Sequence, residues 1–222
     1  MEKHRMFHAQ LSSPLGPILL CANGTGLAGL YFVGQSDCPV VDGLPAVQPT
    51  AGGPAWGEHE GRPIRGFRAR PGKTADLFDT APERSRSAAP KAAELRMLQA
   101  DTPPAVAALF DMTARQLDEY FAGRLRVFDV PLEVSGTDFQ KRVWGALLRI
   151  PYGMAVSYGD VARDAGLSQR HGRPVGTAVG RNPVTIIIPC HRVLSHSGLL
   201  TGYTGGLSRK LALLELEGFE LT

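Results

Sequence analysis

Asn182-Pro183-Val184-Thr185-Ile186-Ile187-Ile188-Pro189-Cys190-His191-Arg192-Val193 is the stretch on which the reading of this 222-residue chain turns. Thr185–Ile188 is an apolar, β-branched run with the composition of a buried strand. Pro189 stops it, which leaves Cys190 at the strand's end, where a side chain can reach a cleft. A lone cysteine is ordinarily a buried structural thiol. Here His191 and Arg192 supply cationic neighbours that can lower a thiol pKa, and the thiolate is the nucleophilic form. Adjacent strand residues point to opposite faces, so His191 reaches the sulfur only if the backbone turns after Pro189.

Upstream of this stretch the signals are helical. Thr137 with Gln140 is a capping-box pattern, and Phe139, Val143, Trp144, Leu147 and Leu148 follow on one face. Pro151-Tyr152-Gly153 ends that helix. Ser157 with Asp160 caps the next one, which stops at Gly166. After a short turn, Pro174 at a first helical position opens a small-residue helix to about Arg181. Two short helices joined by a turn are what a helix-turn-helix needs, although many helical pairs share that pattern. Charge adds to it. Between Arg163 and Lys210 seven basic residues (Arg163, Arg170, Arg173, Arg181, Arg192, Arg209, Lys210) stand against one acid, Asp164. A localised basic field beside a helical pair is the footprint of a phosphate-backbone binder, or else a solvated basic face.

Further out, the N-terminal half reads as short strands over Arg5–Leu11, Pro17–Ala22 and Leu27–Val33, separated by turn residues, hence a small antiparallel meander. Residues 34–90 hold eight Gly and eight Pro. Such a stretch cannot bury enough apolar surface to offset its ordering entropy, and it is expected to be a long loop. Pro103-Pro104 opens a helical pattern that Gly123 closes, and Arg126–Leu132 is expected to be a further strand. Glu217 ends a Leu-rich helix (Leu207, Leu211, Leu214), where the dipole disfavours a carboxylate, so a specific partner is expected.

Some classes are excluded at this level. No run of about 18 apolar residues exists, so no membrane span is expected. Met1-Glu2-Lys3-His4-Arg5 leads into no apolar segment of the kind a secretory signal has. Cys21, Cys38 and Cys190 are three widely spaced thiols, which is no disulfide framework and fits a reducing cytoplasm. His4, His8 and Cys21 lack metal-ligand spacing, so neither a metal nor a cofactor is expected.

Pro189-Cys190-His191-Arg192-Val193, preceded by Asn182-Pro183 and followed by Gly202-Tyr203-Thr204-Gly205-Gly206, closely resembles the O6-alkylguanine-DNA alkyltransferases. The resemblance is dense from Val127 to Gly218, including Gly136-Thr137-Asp138-Phe139-Gln140 and Ile150-Pro151-Tyr152-Gly153. It is thinner over 5–33, where Ser13-Pro14-Leu15-Gly16 looks like the family's N-terminal turn, and over 103–123. Residues 34–95 have no counterpart. The resemblance implies an N-terminal α/β domain with a small antiparallel sheet (1–130, with a long Gly/Pro-rich loop at 34–95). A C-terminal, mostly helical domain (131–222) would carry the helix-turn-helix and the reactive cysteine.

The function so implied is DNA repair by irreversible, single-turnover transfer of an alkyl group from O6-alkylguanine, and to a lesser extent O4-alkylthymine, to Cys190. The substrate would be double-stranded DNA, bound through the minor groove by a cytoplasmic monomer that needs no cofactor. The damaged base must leave the stack. By resemblance Arg173 fills the gap, while Gly176 and Thr177 approach the DNA. His191 is the general base acting through a water, Glu217 the acid that orients it, and Tyr158 the donor toward guanine N3. Tyr203 and Thr204 line the base pocket, the Val193 backbone meets the exocyclic amine, and Asn182 is the hinge between recognition helix and active-site strand. Pro174 and Thr177 depart from the family's usual residues, as does the turn Ser168-Gln169-Arg170-His171-Gly172. Two other readings cover parts of the pattern: a protein that binds alkylguanine without transfer, and a Cys–His hydrolase with an incidental basic region.

Overall fold

The computed structural model describes residues 5–44, 61, 63–65, 94–168 and 171–221. β1 (Phe7–Leu11), β2 (Ile18–Ala22) and β3 (Leu27–Phe32) form the expected meander, and β5 (Leu95–Met97) joins it on the far side of β1. The sheet order is β3-β2-β1-β5, antiparallel throughout. In β1 inward Phe7, Ala9 and Leu11 alternate with half-exposed residues, as a strand with one packed face should. β2 is buried at every position, because both faces are covered. On the second face Leu19, Cys21 and Val33 are met by Tyr31, Cys38, Val41, Leu44 and Leu98. Residues 34–44 hold turns and no strand or helix, and Cys38, Val41 and Leu44 among them pack over the sheet. The insertion also supplies β4 (Ile64–Arg65), paired with β8 (Glu220–Leu221). Gly61 and Pro63 are also described, whereas 45–60, 62 and 66–93 lie outside the described residues, as do Gln169, Arg170 and His4.

α1 (Pro104–Phe121) starts at the diproline and stops at Gly123, whose positive φ of 71° an L side chain rarely adopts. It lays Val106, Phe110, Leu117 and Tyr120 against the sheet. The strand expected at Arg126–Leu132 is absent. Gln116 takes both backbone groups of Asp129 with its side-chain amide (2.8 and 3.1 Å), and Leu132 alone makes an isolated bridge, to Leu27. A side chain has replaced the strand partner.

The second half obeys its local signals. α2 (Asp138–Leu148) and α3 (Tyr158–Asp164) each begin in a complete capping box, Thr137 with Gln140 and Ser157 with Asp160. Arg142 of α2 donates to the carbonyls of Ala165 and Gly166 beyond the end of α3, and Trp144 Nε1 donates to Ala178 of α4 (Gly172–Gly180). α3 and α4 are thus held by one helix at defined backbone atoms. α4 begins two residues before Pro174, which occupies a first-turn position whose N–H has no helical acceptor anyway. Two-residue parallel strands β6 (Val156–Ser157) and β7 (Val193–Leu194), with α5 (Leu207–Leu216), complete the chain.

Candidate active site

Thr185–Ile188 is not a strand. It is a tight turn in which Ile186 adopts a left-handed φ of 71°, uncommon for any residue with a side chain and strained for a β-branched one. Tertiary bonds impose it. Leu30 N–H donates to Pro183 O (2.8 Å), and Thr185 gives both its N–H and its hydroxyl to Leu30 O (3.0 and 2.7 Å). Asn182, fully enclosed, accepts from Val184 N–H and donates to Ile188 O (2.7 Å), stapling the turn from inside. Those bonds place Asn182 between the end of α4 and the Cys190 turn.

The backbone does turn after Pro189. Cys190–Arg192 form one turn of 3₁₀ helix, which spreads successive side chains around an axis and lets three neighbours face three different partners. Cys190 Sγ accepts from Asn182 Nδ2 at 3.1 Å and lines a cavity of about 230 Å³. The other walls are Tyr158, Gly176, Val179, Gly180, Gly202, Tyr203 and Thr204. His191 is sealed from solvent, with Nε2 3.0 Å from Glu217 Oε1. Arg192 faces away from the thiol. Its guanidinium grips both oxygens of Glu217 (2.8–3.2 Å), donates to Ile150 O and lies over the Tyr152 ring. Glu217 also accepts from the Tyr120 hydroxyl (2.8 Å) and from Gly153 N–H (3.2 Å). The specific partners expected for a carboxylate at a helix C-terminus are present.

The electrostatics correct one expectation. Burial pushes the Cys190 thiol up to about 11, and neither the Asn182 hydrogen bond nor the Lys210 charge offsets it. At neutral pH the sulfur therefore carries its proton. Burial also lowers the His191 pKa against the opposing pull of Glu217, so the ring is neutral. Burial alone would raise Glu217, but the charge His191 takes on when acid protonates it, the Arg192 charge and the hydrogen bonds of both outweigh burial and hold the carboxyl at about 2. With Nε2–H donating to that carboxylate, the free lone pair sits on Nδ1, which is buried with no hydrogen-bond partner among the described residues. A protonated thiol is thus followed in sequence by a neutral imidazole whose Nδ1 acceptor is unused among the described residues. Burial likewise keeps the Tyr158 and Tyr203 hydroxyls protonated.

The basic field is smaller than the sequence count suggests. Lys210 is wholly buried, and its ammonium donates to Val193 O, Thr201 O and Gly202 O; burial brings its pKa down to about 8. Arg209 stacks over Phe32 (4.6 Å) and donates to Leu15 O and Gly205 O, tying the Ser13–Gly16 turn to the pocket loop. Three of the seven basic residues (Arg192, Arg209, Lys210) are structural. Arg173 of α4 is exposed with Pro174, Thr177 and Gly180, and so is Arg181, the cap residue just past the helix end. Thr204 Oγ1 donates to Gly180 O (2.8 Å), joining pocket loop to helix. Val193 stands behind the cavity wall, its carbonyl already engaged by Lys210. Gly205 is required where it is: a Cβ there would lie 2.7 Å from the Tyr203 ring.

Arg192, Lys210 and Tyr120 are the site residues the sequence reading did not single out for these roles. Lys210 was the most detectable, since it shares a helical face with Leu207, Leu211 and Leu214 and so had to point inward.

A family model for the DNA-binding domain of 6-O-methylguanine DNA methyltransferase matches residues 138–219. The methylated-DNA–protein-cysteine methyltransferase of Mycobacterium tuberculosis (strain H37Rv) is 57% identical over 108 residues, 49% of this chain and 65% of that protein. That of Methanosarcina acetivorans is 52% identical over 109 residues, 49% of this chain and 69% of that protein. The chain thus spans somewhat less than two thirds of the mycobacterial relative's length in the sequence match. Among solved structures, M. tuberculosis OGT in complex with DNA aligns with a TM-score of 0.59 at 36% identity, over 94% of this chain and 90% of that one. The M. tuberculosis O6-methylguanine methyltransferase structure gives 0.58 at 34% identity, over 96% and 93%.

Proposed function

The chain belongs to the 6-O-methylguanine DNA methyltransferase family, and from that premise we propose that it repairs DNA by moving an alkyl group from guanine O6 to its own Cys190, once per molecule. The observation that carries this is the placement of Cys190 on the cavity wall, followed in the same 3₁₀ turn by a neutral, carboxylate-anchored His191 whose Nδ1 has no hydrogen-bond partner among the described residues. His191 takes the thiol proton through a bridging water. The sulfur then bonds to the alkyl carbon, and the carbon–O6 bond breaks with its electron pair going to guanine. Tyr158 donates a proton toward N3, so neutral guanine leaves and S-alkylcysteine remains. No oxyanion forms, which fits a site built from one nucleophile, one base and one acid.

Delivery of the base falls to α3 and α4, acting as a helix-turn-helix, with α4 docked in the minor groove. That helix's exposed face is narrow and small (Thr177, Gly180), with Arg173 and Arg181 at its ends for phosphate or stack contacts. Arg173 occupies the gap left by the rotated base, and Gly176 and Thr177 come close to the groove wall. Tyr203 stacks on the base and Thr204 bonds its edge, whereas Val193, behind the wall with its carbonyl on Lys210 and its N–H on Cys190 O, is left to support the wall. The division into a supporting part, 1–130, and a transferring part, 131–222, belongs to the same reading. So do a monomeric state and a cytoplasmic setting, in keeping with three free cysteines.

The test is a duplex carrying radiolabelled O6-methylguanine. One label per protein on Cys190, and a Cys190→Ala variant that still binds the duplex but accepts no label, is the expected result. Binding without label would make the protein a lesion binder. Turnover of an ester or amide would make it a hydrolase.

A further inference from the structure

Outside the reactive cluster, one contact joins the Gly/Pro-rich insertion to the pocket. The loop from Ser195 to Thr204 leaves β7, folds on itself and returns with Tyr203 and Thr204 on the cavity wall. From inside it is held by Lys210, which bonds Thr201 O and Gly202 O. Its outer edge is held by the insertion. Gly61 N–H donates to Leu200 O (3.0 Å), Ile64 N–H donates to Gly198 O (3.2 Å), and Pro63 forms an antiparallel bridge with Leu199. Ile64 is 5% exposed and packs in a small cluster with Leu194, Leu200, Leu207, Leu214 and Phe219, against which Tyr203 also rests. β4 continues the contact onto β8, just past Glu217.

We propose that Gly61 and Pro63–Arg65 form a strap that positions the base pocket, with Ile64 as its positioning residue. The proposal rests on the alkyl-transfer reading of the cavity. Two backbone bonds and one apolar anchor fix the 198–200 backbone, and through it the Tyr203 ring against which the extruded base stacks. Val179 of the wall formed by α4 packs in a different apolar cluster from Ile64, so DNA docking through α4 is expected not to depend on the strap. Loss of the anchor therefore acts on the transfer step and spares binding.

The experiment compares wild type, Ile64→Ala and the conservative Ile64→Val by single-turnover transfer from an O6-methylguanine duplex at saturating DNA. Duplex affinity and amide hydrogen exchange are measured beside it. Ile64→Ala should lose roughly tenfold in transfer rate with unchanged affinity, since small displacements of positioning groups have effects of that order. Amide exchange should accelerate selectively at Leu199–Tyr203, and Ile64→Val should restore both. Unchanged transfer and exchange would overturn the proposal. So would acceleration spread equally over α1 and β2, which would make Ile64 an ordinary core residue. If wild type itself transfers nothing, the repair reading fails, whereas the exchange pattern still reports on the strap.

Discussion

A carboxylate enclosed by a tyrosine hydroxyl, an imidazole and a guanidinium stays ionised only because its partners outweigh the cost of its burial, and Glu217 is held that way at about 2. Its folded pKa lies below the ordinary 4.5, so its stabilising contribution is fully present above pH 4.5 and is lost as pH falls through 2. The size is about 3 kcal/mol at neutral pH. Glu217→Gln should remove that slope from urea-unfolding stability measured between pH 5 and 2. It should also destabilise the protein at pH 7 by about 3–5 kcal/mol, because Arg192 is left buried without a counter-charge. Parallel wild-type and variant curves over that range would show that the carboxylate is not the linked group. Glu217 could be singled out from sequence because a carboxylate at a helix C-terminus needs an explanation. Arg192 was visible but read as a partner of the thiol, since one-dimensional adjacency does not say which way a 3₁₀ turn aims its side chains.

Elements whose causes are local were legible, and those imposed from a distance were not. The capping boxes of α2 and α3 and the glycine stop after α1 follow from residues three or four apart, and all three are present. Thr185–Ile188 has strand composition but is bent into a left-handed turn by bonds to Leu30, some 150 residues away, which no window around the run contains. The two-residue strands β4, β6, β7 and β8 are too short for periodicity to register. α4 carries the element-scale prediction. A Cβ at Gly176 would sit 3.8 Å from the Tyr158 ring, an ordinary contact that asks nothing of the backbone. Gly176→Ala should therefore gain up to about 1 kcal/mol from helix propensity. Gly176 also lines the cavity, so the same methyl should slow alkyl transfer. A melt that rises while the transfer rate falls is the expected pair of results, and an unchanged rate would place the base elsewhere in the cavity.

At the scale of the whole molecule, the sheet, α1–α4 and Cys190 share one core. Phe7, Leu20 and Leu30 of the sheet, Phe110 and Leu117 of α1, Trp144 of α2, Val179 of α4 and Cys190 itself belong to a single apolar cluster. Bridges from Leu30 to Val184 and from Leu27 to Leu132 tie the two halves of the chain together. Whatever happens at the sulfur is therefore felt by the packing of both halves. Cys190 is 5% exposed and its Sγ accepts from Asn182, the side chain that also staples the Ile186 turn. A methyl group on that sulfur adds volume at a buried position and crowds the Asn182 Nδ2–H that donates to Sγ. Adding a methylene-sized group to a filled interior costs about 1–3 kcal/mol, and in a chain of this size each kcal/mol moves the melting temperature by about 2–4 °C. The alkylated protein should melt on the order of 5 °C below the unmodified one in differential scanning calorimetry. Loosening should begin at Asn182 and the turn it holds, since those groups meet the added methyl first. Equal melting temperatures would mean that the cavity admits the methyl without strain, and that the free volume beside Cys190 is larger on the protein side than its burial indicates.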